Sequence, residues 1–126
     1  MIPEIIKNVG FDFRWENQKV WALPIEQSAL EISELIWHFD IPFLDWDNGR
    51  YNLRPNQIIQ APENYPAEYL RTRAADISYP IDIMQNKGRG LMLDGLHRLM
   101  KSFMLKRDVV DVRKIPRDCI GLITPD

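Results

Sequence analysis

Apolar and polar positions follow their most regular pattern between positions 80 and 115. There "PIDIM" reads as a strand, "QNKGRG" as a turn, "LML" as a second strand, "DGLHRLMKSFMLK" as a helix and "VVDVRKI" as a third strand closed by Pro116. Within the helix, Leu96, Leu99, Met100, Phe103 and Met104 recur at i, i+3, i+4, i+7 and i+8, a continuous apolar stripe that must pack on the sheet. His97, Arg98, Lys101 and Ser102 fall on the opposite side. Earlier segments are less regular. "KVWALPI" alternates and predicts a strand over 19–23, stopped by Pro24. "SALEISELIWHF" offers Ser28 and Glu31 as a capping box, with Leu30, Ile32, Leu35 and Ile36 at helical intervals, which predicts a helix over 29–39. "FLDWDNGRYNL" carries the Asp-Asn-Gly chemistry of a tight turn between very short strands. Pro55 and Pro66 suit first-turn positions and predict helices over 56–60 and 67–75. The expected fold class is α+β, a small mixed sheet with packed helices.

With 126 residues, 45% hydrophobic and 27% charged, the chain has the size of one domain spanning 1–126. No apolar run approaches the roughly 20 residues of a membrane span, and "MIPEIIKNVG" lacks the apolar core of a signal peptide, so a cytoplasmic location is expected. Cys119 is the only cysteine, and with His38 and His97 it makes no zinc-type spacing, so no metal site is expected. The four Trp fall in "WENQKVWAL" and "LIWHFDIPFLDW", where core packing is the leading expectation and an interaction surface the alternative. The net charge of −2 is unevenly spread. Between positions 87 and 117 stand nine Lys/Arg against three Asp, and the rest of the chain is acidic. That asymmetry reads either as an anionic ligand near the Asp-Gly-Leu-His-Arg stretch or as a solvated, Lys-rich helix and strand edge.

The helix start there bears on the choice. Asp94 is placed to cap the helix, leaving Gly95, Leu96 and His97 in its first turn, where backbone N–H groups lack intrahelical partners. Such a terminus attracts anions, and Gly95 lets a ligand approach the backbone. Arg98 adds a forked donor for phosphate oxygens and Lys101 a point charge. A cation in the first turn opposes the helix dipole by ~0.3–1 kcal/mol unless an anion offsets it. That anion is either a ligand or a carboxylate of the protein, Asp94 or Asp82.

The block from Tyr79 to Pro116 resembles the core of the ParB/sulfiredoxin superfamily: Pro80-Ile81 opening a strand, Leu91 to Leu93 running into Asp94-Gly95, the Gly95-Leu96-His97-Arg98 helix start, and Val110 to Val112. The resemblance covers about a third of the chain. It implies a phosphate cradle at Gly95, His97 and Arg98 for a nucleoside di- or triphosphate with Mg²⁺. Departures narrow the chemistry. Leu96 stands where sulfiredoxins carry their catalytic Cys, which argues against sulfinic-acid repair. The chain ends at Asp126, about ten residues past its last strand, so a complete chromosome-partition protein is not expected. The "DG-x-HR" pattern is similar to that of the ADP-dependent serine kinase and of ParB-like proteins labelled nucleases.

Phosphoryl transfer requires cations around the transferred group and a base or orienting group for the nucleophile. Asp94 and His97 are the candidate catalytic residues, with Gly95, His97, Arg98 and Lys101 binding phosphate. Glu31, Glu34 and Asp45 are further candidates for the base. Asp82 and Asp94 are the only carboxylates that can be placed on neighbouring strands. The expected function is binding of a nucleotide or phosphorylated small molecule, with phosphotransfer to a small molecule. A non-catalytic nucleotide-sensing or protein-interaction module is the alternative, and a DNA-associated or nuclease role ranks third. A carboxylate facing the cradle distinguishes the enzyme from the sensor.

Overall fold

A computed structural model describes residues 2–126. It contains helices α1 (Glu4–Asn8), α2 (Asn17–Trp21), α3 (Pro55–Gln60), α4 (Pro66–Ala74), α5 (Leu96–Met104) and α6 (Ile120–Ile123) and strands β1 (Gln27–Glu31), β2 (Ile81–Asn86), β3 (Arg89–Asp94) and β4 (Val109–Ile115). The four strands make one mixed sheet in the order β1-β4-β2-β3. The β2–β3 and β1–β4 pairs are antiparallel and β2 runs parallel to β4. The fold is α+β, and among the described residues no helix is long and apolar enough to cross a membrane.

The regular block folds as its pattern predicts. Strand alternation sends Ile81, Ile83, Met92, Val110 and Val112 to one face, where Leu99 and Met100 of α5 cover them together with Leu35, Phe39 and Ile58. Met84, Leu93 and Ile115 face the other way and are covered by Val20 of α2 and Ile123 of α6. A third cluster joins Leu91 to Ile6, Phe11 and Ile41 from the N-terminal half. The "QNKGRG" turn tightens to Lys87-Gly88, both at positive φ, so β2 and β3 extend further than "PIDIM" and "LML".

Two elements differ from expectation. The segment predicted as a strand over 19–23 is helix α2, one turn long, with only Val20 buried. Five residues with one inward side chain satisfy either period, and Val20 reaches the core from a helical turn in which Lys19 and Val20 N–H donate to the Glu16 carbonyl. The predicted helix over 29–39 instead begins as edge strand β1, with Ser28 opposite Val112 rather than capping. It continues as 3₁₀ turns at Ile32–Glu34 and Ile36–Asp40. Leu35 N–H donates to Ile32, His38 to Leu35 and Ile41 to His38, a three-residue repeat that buries Ile32, Leu35 and His38. The Asp-Asn-Gly segment is a turn, with Asp47 and Asn48 at φ 53° and 65° and a single bridge between Leu44 and Leu53. The helices predicted over 56–60 and 67–75 are α3 and α4. The four Trp are divided between core and surface: Trp15 and Trp37 pack against the third cluster, whereas Trp21 and Trp46 are exposed.

Candidate functional site

The site is built at the end of β3. Strand register runs Ile83 opposite Met92 but Asp82 opposite Asp94, so Leu93 is an inserted residue. Such a bulge re-aims the side chains beyond it and terminates regular pairing. Asp94 is the last residue of β3 and does not cap α5, contrary to expectation. The cap position belongs to Gly95, whose φ of 118° is closed to other residues, and no side chain among the described residues caps the helix. The same turn explains why glycine stands here. A Cβ on Gly95 would lie 3.0 Å from Ile81 Cγ1 and 3.2 Å from its Cγ2. Gly95 is therefore demanded by backbone conformation and by packing on β2, independently of any ligand.

Freed from capping, the Asp94 carboxylate takes two hydrogen bonds on Oδ2, from Trp21 Nε1 at 2.8 Å and Arg98 Nη2 at 2.9 Å. Arg98 Nη1 donates to the Pro80 carbonyl. The first-turn cation is thus matched by a carboxylate of the protein itself, and Arg98 ties α5 to the start of β2. Lys101 does not join the site. Its ammonium donates to the Arg73 and Ala75 carbonyls at 2.7 and 2.8 Å, at the C-terminal end of α4, where a cation also complements the helix dipole.

His97 lies at the helix start with its Nε2 2.8 Å from Glu68 Oε2, both side chains largely buried. Glu68 also pairs with Arg71 at 3.2 Å. The hydrogen bond to the carboxylate fixes the imidazole ring and leaves Nδ1 as its other polar atom. Glu68 was not among the candidate carboxylates. Its only signal in the sequence is the i, i+3 spacing to Arg71, which is common on solvated helices. Of the other candidates, Glu31 closes the edge strand opposite Val109, and Asp45 accepts the Tyr51 backbone N–H. Glu34 lines a separate cleft beside Arg89 and Lys114.

Two clefts meet at Asp94, Gly95, Leu96 and His97. One, about 340 Å³, is almost wholly apolar, walled by Phe11, Trp15, Phe43, Tyr51 and Met92. The imidazole of His38 also lines it but offers no free polar atom: Nδ1–H donates to the Leu35 carbonyl at 2.7 Å and Nε2 accepts the Met92 N–H at 3.0 Å. The other, about 400 Å³, is open and polar and is bounded by Arg71, Asp76, Tyr79 and Arg98. Between them the N–H groups of Leu96, His97 and Arg98 precede the first helical bond, from Leu99 N–H to the Gly95 carbonyl, and lack intrahelical acceptors. An apolar chamber and a row of unmatched N–H donors adjoin a rim of mixed charge, where Arg71 and Arg98 are set against Asp76 and Asp94. These groups have the chemistry to take an anionic oxygen. They do not fit a protein-held Mg²⁺, because Asp82 and Asp94 each already face a guanidinium, Arg113 at 3.3 Å and Arg98 at 2.9 Å.

Comparisons with models of known protein families, with curated proteins and with solved structures find no match for this chain.

Proposed function

We propose that this chain is a cytoplasmic domain related to the ParB/sulfiredoxin superfamily, that it binds a nucleotide or other phosphorylated small molecule at the start of α5, and that it transfers a phosphoryl group to a small-molecule acceptor. The observation that carries the reading is the convergence of the apolar and polar clefts on the uncapped N–H groups of Leu96, His97 and Arg98. An anion there meets oriented backbone donors and the positive end of the helix dipole. Arg71, more than half exposed at the rim and ion-paired with Glu68 at 3.2 Å, supplies the cation nearest to solvent. The apolar chamber suits a flat or hydrophobic ligand body, and with the His38 nitrogens already engaged it offers little to read the edge of a base. Poor discrimination among nucleobases follows from that lining.

Asp94 favours an enzyme over a sensor. It borders both clefts, and its Oδ2 is held by Trp21 and Arg98, which leaves Oδ1 to orient or deprotonate an acceptor. His97, oriented by Glu68, is the second candidate for proton transfer or hydrogen bonding to the ligand.

The test is a thermal-shift panel of ATP, ADP, CTP, GTP and inorganic phosphate, with and without Mg²⁺, on the wild type and on Arg71→Ala. Arg71→Ala is preferable to Arg98→Ala, which would leave Asp94 without its cation and disturb the fold. Ligand at 100 times its dissociation constant stabilises by about 2.7 kcal/mol, a shift of several degrees for a domain of this size. A nucleotide-dependent shift that is reduced in Arg71→Ala supports the reading, and no shift with any of the five refutes it. Binding without phosphoryl transfer to any acceptor favours the non-catalytic sensor.

A further inference from the structure

On the far side of Arg98 lies a third cleft, of about 530 Å³, lined by Trp21, Tyr79, Pro80, Asp82, Asp94 and Arg113. Its floor exists because of the β3 bulge, which sets Asp94 rather than Leu93 opposite Asp82. Asp82 is 2% exposed, yet its Oδ1 takes no hydrogen bond. Arg113 Nη1 stands 3.3 Å away without hydrogen-bond geometry, and Arg113 Nη2 is committed to the Leu23 and Val20 carbonyls at 2.6 and 3.2 Å. A buried carboxylate oxygen left without a donor is costly and uncommon. Burial pushes the Asp82 carboxyl above its ordinary range, partly opposed by Arg113. The mouth of the cleft is aromatic: Trp21 is 55% and Tyr79 65% exposed.

These features select a ligand class. The floor carries acceptors, Asp94 Oδ1 and the buried Asp82 Oδ1, and beside them a donor, Arg113 Nη1, that makes no hydrogen bond among the described residues, while Arg98 is tied to Asp94 and Pro80. A group that both donates and accepts, as a hydroxyl does, matches both. Two aspartates balanced by two arginines leave the cleft without net charge, so a cation gains no field and meets two guanidinium groups, and an anion finds two carboxylates. Exposed rings at the rim offer flat, weakly polar contact. We propose that this cleft is a binding subsite for a neutral, hydroxyl-bearing small molecule of monosaccharide or polyol type, its hydroxyls bonding to Asp82 and Asp94 and its carbon face lying on both Trp21 and Tyr79. Asp94 also borders the two clefts at the start of α5. The role of this molecule as acceptor rests on the phosphotransfer reading, whereas its binding does not.

The two claims separate in one experiment on the full chain, a ¹H–¹⁵N NMR titration. D-ribose, D-glucose, glycerol and myo-inositol are compared with arginine and choline, all without nucleotide, by following the Trp21 indole N–H. ADP is titrated separately and followed at the Leu96 and His97 amides. The expected result is saturable movement of the Trp21 indole with at least one of the four hydroxylated compounds, weakened about tenfold in Tyr79→Ala, an exposed position whose loss leaves the fold intact. Asp82→Asn should weaken it too. Movement only with arginine or choline, no movement with any compound up to its solubility limit, or an unchanged response in Tyr79→Ala overturns the proposal. An ADP titration silent at Leu96 and His97 overturns the phosphate reading and leaves this cleft standing.

Discussion

Acidification should destabilise the protein through one histidine. His38 is fully buried, with Nδ1–H donating to Leu35 and Nε2 accepting from Met92. A second proton would sit on Nε2, directly against the Met92 N–H, on a fully buried ring. Burial, aided by the charge of Arg89, pushes the His38 pKa down to about 4 from 6.5. The unfolded chain takes up the proton near pH 6.5 and the folded chain does not until about 4, so the unfolded state binds more protons throughout that window. Stability is therefore full above pH 7 and falls as pH drops from 6.5 towards 4. Between pH 7.5 and 4.5 the loss is on the order of 2–3 kcal/mol. Asp82 acts with the opposite sign, since its raised pKa makes the folded state hold a proton more readily than the unfolded one. The contribution of His38 is isolated by comparison with His38→Gln, which keeps an acceptor for Met92 N–H and does not titrate. Urea unfolding at pH 7.5, 6.5, 5.5 and 4.5 should show the wild type losing on the order of 2–3 kcal/mol more than the variant over the range. Parallel pH profiles, or a His38 ring titrating near 6.5 by NMR, would refute the reasoning.

Gly95→Ala should cost about 1–3 kcal/mol of stability in the absence of any ligand, because φ of 118° and the 3.0 Å approach to Ile81 Cγ1 both oppose a Cβ. Chemical denaturation measures it, and a loss within experimental error would contradict the account of this turn. Lys101→Met should lower stability by about 1 kcal/mol through loss of the donor to the Arg73 and Ala75 carbonyls, yet leave ADP affinity unchanged. A marked fall in affinity by calorimetry would return Lys101 to the phosphate site.

How much of this was legible in the sequence depends on how long each pattern runs. The β2–β3–α5–β4 block was readable because the α5 stripe spans more than two turns and β4 is rich in β-branched residues that alternate in burial from Val109 to Val112. Segment 19–23 was too short to choose between periods. Ile32, Leu35 and His38 repeat every three residues, which imitates one face of an α-helix while the backbone forms 3₁₀ turns. At the site, the Asp-Gly-Leu-His-Arg stretch located the helix start but misassigned Asp94, since a cap was inferred from residue type whereas the positive φ of Gly95 turns the carboxylate towards Arg98 and Trp21. Lys101 was misplaced because spacing along α5 says nothing about the end of α4 that packs beside it. Glu68 and Trp21 come from segments with no motif of their own, and only the tertiary fold brings them to His97 and Asp94. The third cleft depends on a one-residue bulge, which shifts register without leaving a mark in the hydrophobic pattern.

The central claim, an anion site at the start of α5, is tested most directly by the backbone amides of Leu96, His97 and Arg98 in a ¹H–¹⁵N NMR titration with ADP. The account predicts saturable shifts largest at these three amides and at the Glu68-bound ring of His97, extending to residues of the apolar cleft such as Phe43 and Met92. Shifts elsewhere on the surface with these three amides unmoved would contradict it.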